Sequence, residues 1–289
     1  MQILVIGASG FIGRPMVRAL KALGHNIIQP SHASANVLDP AQRASLIRES
    51  DADVLVHLAW QTTHGAFWTS PDNTDWRDAT IALVQEFLDA GGKRVVLAGS
   101  CAEYDWTTNA VTLTENSPCV PATLYGRSKL ETFQACSRLI DAGASIAWGR
   151  LFFLMGRHET PTRFMPAIIR PLLRGDTAPM SDGSGLRDFM HAEDAGSAFA
   201  SLTTSNATGA INIASGTPVT LVEVARQAQA LIGHGELDIG AIPSREGEPE
   251  ALVADVTRLH DEVGFSPRYQ LKSALEDCIS FWREHDALQ

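Results

Sequence analysis

A doubly wound parallel α/β sheet with a smaller C-terminal substrate-binding lobe is the fold class predicted by this 289-residue sequence, on three observations. From residue 1 to about 150, short β-branched runs alternate with longer amphipathic stretches, the rhythm of a parallel sheet wrapped by helices. A glycine-rich segment follows the first run directly and opens the first amphipathic stretch. Beyond Gly156 the rhythm weakens, with Pro161, Pro166, Pro171 and Pro179 interrupting short helical pieces and glycines at Gly183 and Gly185, which marks a second, loop-rich unit.

Each element follows from its residues. Strands are predicted over 3–6, 26–29, 54–58, 94–98 and 145–149, where Val, Ile and Leu dominate. Helices are predicted between them over 15–23, 40–49, 75–90 and 126–142, with Gly24, Gly91 and Gly143 as stop signals. The sheet domain spans 1–156 and the smaller lobe 157–289. Residues 209–232 read as a further strand and helix that return to the sheet.

Composition removes several function classes. Apolar content of 45% and charged content of 19% exclude a disordered chain, and no run nears the roughly 18 apolar residues of a membrane span. The chain opens on a strand, without a basic lead or a cleavage site, so a cytoplasmic protein is expected. A net charge of -10 argues against nucleic acid or anionic membrane as a partner, and an anionic ligand then needs locally placed cations. Cys101, Cys119, Cys136 and Cys278 show neither disulfide nor metal-ligand spacing, and no H-E-x-x-H occurs among the histidines; reduced thiols and no metal are expected.

The segment from Ile3 to Gly13 sets Gly7, Gly10 and Gly13 between a buried strand and a helix. Gly7 permits the turn, Gly10 lets the backbone approach a pyrophosphate, and Gly13 lets the helix lie close on the strand. The free N–H groups and positive dipole end of that helix complete a phosphate site of the Rossmann type. The end of the second strand, Gln29-Pro30-Ser31-His32, carries no carboxylate to hold a ribose 2′-hydroxyl, and Arg14, Ser31 and His32 are candidate neighbours of a 2′-phosphate. NADP is therefore expected ahead of NAD.

Tyr125 and Lys129, four apart near the start of a predicted helix, share one face, and Ser100 ends an apolar strand where doubly wound folds place ligand-contacting residues. A phenol is a poor base at neutral pH until a nearby ammonium lowers its pKa. Tyr125 is thus the expected proton donor or acceptor, Ser100 the hydrogen-bond partner of the same substrate oxygen, and Lys129 the cation and ribose ligand.

Together these residues resemble the extended short-chain dehydrogenase/reductases, the NAD-dependent epimerase/dehydratase family that works on nucleotide sugars. The resemblance extends to the Asp53–Ala59 stretch, Arg150-Leu151-Phe152 through Gly156, the Arg187–Asp194 stretch and the tail from Val263 to Tyr269. It implies that the glycine loop with Ser9, Phe11 and Ile12 holds the cofactor, that Asn36 and Val37 flank the adenine, and that Leu58 and Ala59 approach the cofactor. Arg187 and Arg245 would bind the sugar nucleotide's diphosphate, as planar guanidinium forks suit; Arg187 could instead pair with Asp188 or Asp194. The family's 4,6-dehydratases carry an acidic pair after the triad hydroxyl, whereas Cys101 and Ala102 follow Ser100, so dehydration is not expected. Phe153 stands where many sugar epimerases have a diphosphate-gripping asparagine.

The aromatic loop from Ala59 to Trp68 follows a strand end and supplies Trp60 and His64, with Phe67 and Trp68, as either substrate pocket or lid packing; His64 and Cys101 are candidate second acid/base groups. The leading expectation is reduction of a nucleotide-linked 4-keto-6-deoxyhexose with NADPH. The alternative is a 4-epimerase with tightly held NAD, and a sensor that binds NAD(P) without catalysis is a third. By the same resemblance the helices over 75–90 and 126–142 would pair across a homodimer.

Overall fold

Strand β1 (Gln2–Ile6) has both faces buried, with Ile3 and Val5 in one core and Leu4 and Ile6 in another. That double burial is why the run is continuously apolar. The computed structural model describes residues 1–31, 36–108, 110, 112–244 and 247–286. After β1 come α1 (Gly13–Ala22), β2 (Asn26–Ile28), α2 (Pro40–Ser50), β3 (Val54–His57), α3 (Asp72–Asp89), β4 (Arg94–Ser100), α4 (Leu124–Asp141) and β5 (Ile146–Leu151). Then follow β6 (Phe153–Met155), α5 (Phe164–Arg174), β7 (Thr177–Met180), β8 (Leu186–His191), α6 (Ala192–Thr204) and β9 (Gly209–Ile213). The chain finishes with β10 (Pro218–Thr220), α7 (Leu221–Ile232), β11 (Glu236–Ile239), β12 (Ala251–Leu252), α8 (Thr257–Asp261) and α9 (Leu271–Asp286).

The main sheet is parallel throughout, in the order β2-β1-β3-β4-β5-β9. The chain crosses to one side of β1 for β2 and to the other for β3, so the crevice at the carboxyl ends of β1 and β3 is the switch point where such sheets bind ligands. One face is covered by α1 and α6, through Met16, Val17 and Leu20 against Ala195, Ala198 and Phe199. A Cβ on Gly196 would meet the Met16 nitrogen at 2.6 Å, which shows how closely those two helices approach. The other face carries Ile47 of α2, Leu83, Val84 and Phe87 of α3, and Cys136 of α4.

Of the 209–232 stretch, the strand lies in the sheet beside β5, whereas α7 packs through Val224, Ala225 and Ala228 into a second core with α5 and α9. That second core makes the smaller lobe more regular than its prolines predict. Pro166 sits in the first turn of α5, where its missing N–H has no intrahelical acceptor to lose, and Pro171 is carried inside the helix, which runs three residues further to Arg174. Pro179 lies within β7, paired with Asp238 of β11. All four cysteines are free thiols, and among the described residues no helix is long and apolar enough to cross a membrane.

Candidate active site

The glycine loop turns as its residues require: Gly7 has φ +90, and Gly10 N donates to Gly7 O at 3.0 Å. A Cβ on Gly13 would stand 2.1 Å from the Gly7 oxygen, so only hydrogen fits between loop and helix. The loop forms one wall of a cavity of about 940 Å³ at the switch point. That cradle and the N-terminus of α1 fit a nucleotide diphosphate, and the volume lies at the upper end of ordinary ligand sites.

The structure brings Gly7, Ser9, Gly10, Phe11, Ile12, Gly13, Asn36, Val37, Leu58, Ala59, Trp60, His64, Ser100, Cys101, Tyr125, Lys129 and Arg187 to this cavity. Arg14 is not part of its wall; its Nε donates to the Ser9 carbonyl at 2.8 Å and its side chain faces outward. Arg245 and His32 lie outside the described residues. Pro30 and Ser31, just after β2, line the cavity.

Ser100 ends β4 and caps a single 3₁₀ turn, Cys101–Glu103: its hydroxyl oxygen accepts from Ala102 N at 3.2 Å, while the Glu103 carboxylate accepts from Ser100 N at 2.7 Å. The Ser100 hydroxyl stands close enough to the Tyr125 phenol to lower its pKa. Tyr125 opens α4, capped by Thr123 Oγ1 accepting from Gly126 N at 3.1 Å. Burial pushes the phenol above its ordinary pKa and the Ser100 contact partly offsets this.

One turn on, Lys129 Nζ donates to the Ala98 carbonyl at 2.8 Å and lies 3.7 Å from the centre of the Trp60 ring, against 5.9 Å from the Tyr125 ring. Burial drives this ammonium down to about 7, opposed by the Glu103 carboxylate. Trp60 is held in turn by its indole N–H to Asn73 Oδ1 at 2.8 Å. In the aromatic loop, Trp60, Phe67 and Trp68 stand edge-on around the Tyr125 ring at 6.4, 4.9 and 5.8 Å, and they also line the cavity. Cys101 is buried and its thiol is pushed up to about 12, which keeps it protonated and a poor proton carrier at neutral pH.

Arg187 is 1% exposed and makes a different ion pair from those open to it in the sequence. Its Nη2 donates to Glu248 Oε1 at 2.6 Å and its guanidinium lies over the Phe153 ring at 5.4 Å. Asp188 instead holds the chain at Ser215 and Gly216, and Asp194 accepts from the backbone of Arg268 and Tyr269.

Sequence reasoning missed several residues at the site. Glu103, behind the cavity wall, is fully buried, accepts from Arg150 Nε at 2.8 Å and from Trp148 Nε1 at 2.9 Å, and so ties the Ser100 turn to β5. Trp106, Glu159, Arg163, Phe164, Phe189 and Glu248 line the cavity itself. Trp106, Phe189 and Glu248 come from separate segments, and the 159–164 stretch matches no motif that the sequence singles out, so local pattern carried no signal for them.

A family profile described as the NAD dependent epimerase/dehydratase family matches residues 3–214. The chain is 26% identical to a UDP-glucose 4-epimerase of Corynebacterium glutamicum over 97% of itself and 95% of that protein. It is 25% identical to a dTDP-6-deoxy-L-talose 4-dehydrogenase (NAD(P)(+)) of Kitasatospora kifunensis, over 96% of itself and 94% of the relative. Among solved structures, MoeE5 in complex with UDP-glucuronic acid and NAD superposes with a TM-score of 0.80 at 25% identity, covering 99% of this chain and 100% of that one. The fold is shared as well with RMD from Pseudomonas aeruginosa complexed with NADPH, at a TM-score of 0.85 and 21% identity, over 99% of this chain and 100% of the other. With its parallel sheet, its glycine loop and the residues gathered in one cavity, the chain belongs to the NAD-dependent epimerase/dehydratase family and is an NAD(P)-dependent enzyme.

Proposed function

We propose that the enzyme removes and returns hydride at C4 of a nucleoside-diphosphate hexose, as a 4-epimerase. The observation that carries this reading is the convergence of Ser100, Tyr125 and Lys129 on the cavity that the glycine loop also lines. It is supported by the UDP-glucose 4-epimerase and 4-dehydrogenase relatives, which match nearly end to end and whose names both specify C4. The reductase expected first from the sequence has less support from these relatives.

A nicotinamide nucleotide, when bound, accepts and returns the hydride. Tyr125 takes the proton of the C4 hydroxyl as hydride leaves and gives it back on re-reduction, with Ser100 holding the same oxygen. The phenol stands too high for that role unaided, so Lys129 must bring its charge nearer. It does so by exchanging the Ala98 carbonyl and the Trp60 ring for the ligand's hydroxyls and the neighbourhood of the phenol. Arg187 exchanges Glu248 for a phosphate oxygen of the substrate. The helices α3 and α4, which pack on one another, are the proposed dimer face.

A second reading, NADPH-dependent reduction of a 4-keto-6-deoxy sugar, is favoured by one observation. Pro30 and Ser31 line the cavity at the end of β2 where a carboxylate would select a free 2′-hydroxyl. Denaturing the purified protein and identifying the released nucleotide separates the two, together with an assay of UDP-glucose and UDP-galactose interconversion. Near-stoichiometric NAD and interconversion are expected; little bound nucleotide, tighter NADPH than NADH binding and no interconversion would replace the epimerase with the reductase.

A further inference from the structure

Glu159 lines the cavity and is 7% exposed, and its Oε2 is buried with no hydrogen-bond partner among the described residues. Buried carboxyl oxygens ordinarily have partners, because desolvation without one is costly. Nor is this a side chain at the end of a slack loop. Arg157 pairs with Asp277 of α9 at 3.3 Å, the His158 ring packs on Phe281 at 4.7 Å, and His158 itself has φ 65, a conformation that side chains other than glycine rarely take. The turn that carries Glu159 is anchored on α9.

Its neighbourhood indicates what it meets. The cation acting on it is Arg163, an exposed residue at the start of α5 that also lines the cavity. Arg163, Tyr125 and His64 line the same cavity, and the guanidinium acts on both the phenol and the imidazole. Burial pushes the Glu159 carboxyl up to about 8, so at neutral pH it is mainly a neutral acid with one O–H to donate and an oxygen to accept. Sugar hydroxyls are both donors and acceptors and match such a group.

We propose that Glu159 is a substrate-binding residue that hydrogen-bonds a hydroxyl of the sugar held beside Tyr125. This rests on the nucleotide-sugar reading above. The expected signature couples two measurements: a carboxyl kept for a ligand at the expense of the free protein should be dispensable for stability and needed for affinity.

The test uses the full chain with Glu159→Leu and Glu159→Gln, melted by calorimetry and titrated with UDP-glucose, UDP, NAD and NADP. Expected are melting temperatures equal to or above wild type for both variants, and UDP-glucose binding weakened about tenfold or more in Glu159→Leu and less in Glu159→Gln. UDP and nicotinamide nucleotide binding should be unchanged. A lowered melting temperature with unchanged UDP-glucose affinity would make Glu159 a structural group. Equal weakening of UDP-glucose and UDP would remove the sugar contact, and weakening confined to NAD or NADP would assign the carboxyl to the cofactor. Wild-type protein that binds no UDP-glucose overturns the substrate reading itself, and the inference with it, before either variant is compared.

Discussion

The gathering of Ser100, Tyr125 and Lys129 at one cavity was legible because each rests on a local pattern, a hydroxyl closing an apolar strand and a pair four apart on one helix face. Their setting was not. The ammonium of Lys129 rests on the Trp60 ring and the Ala98 carbonyl, an arrangement made by three separate segments. Two predictions belong at this scale. Tyr125→Phe should lower kcat by about 10²–10⁴-fold, with nicotinamide nucleotide affinity nearly unchanged by equilibrium titration. Lys129, held down to about 7, is largely neutral above that pH in the free protein. An anionic nucleotide favours its charged form and raises its pKa, so binding at pH 8 should take up a proton and affinity should fall as pH rises through 7. Calorimetric titration in two buffers of different ionisation enthalpy reads that uptake directly; none would mean the ammonium does not respond to the ligand.

Among elements, the glycine loop and α1 followed from sequence because each glycine answers a local steric demand. Gly13→Ala would drive a Cβ to within 2.1 Å of the Gly7 oxygen, and backbone at that contact cannot swing aside as a side chain can. Nucleotide affinity should drop at least tenfold by titration, even if the protein still folds. Helix α5 shows the opposite lesson. Its prolines read as breakers, yet Met165, Ile168, Ile169 and Leu172 are buried in the second core, and that packing outweighs the hydrogen bond lost at Pro171. Propensity is local, whereas the face that overrode it exists only once α7 and α9 are in place.

Across the whole molecule, the parallel sheet was foreseeable from its rhythm, but the links that join distant parts were not. Arg94, at the start of β4, donates to the carbonyls of Leu202, Thr203 and Ala207, tying the end of α6 to the sheet from more than a hundred residues away. The Glu103–Arg150 pair does the same between the turn after β4 and β5, next to Ser100, with both side chains nearly sealed from water. Removing one charge leaves the other buried and uncompensated, so Glu103→Gln should cost about 3–5 kcal/mol in urea unfolding. Activity should fall as well, since the same carboxylate accepts from Ser100 N. A dimer mass in light scattering is the expected check on the α3–α4 face.

Trp60, Trp68, Trp76 and Trp106 all border the cavity, whereas Trp148 and Trp282 are buried in the two cores. Most of the indoles thus surround the place where a ligand enters, and one lies directly under a positive charge. The protein thereby carries its own optical reporter. On the proposed exchange, a Lys129 that left the Trp60 ring would take a neighbouring charge from that indole, and a reduced nicotinamide in the same cavity would lie close to several excited donors. Intrinsic emission should therefore change in two separable steps, one following the lysine and one following energy transfer, so occupancy and lysine position can be timed in a stopped-flow mixer without any label.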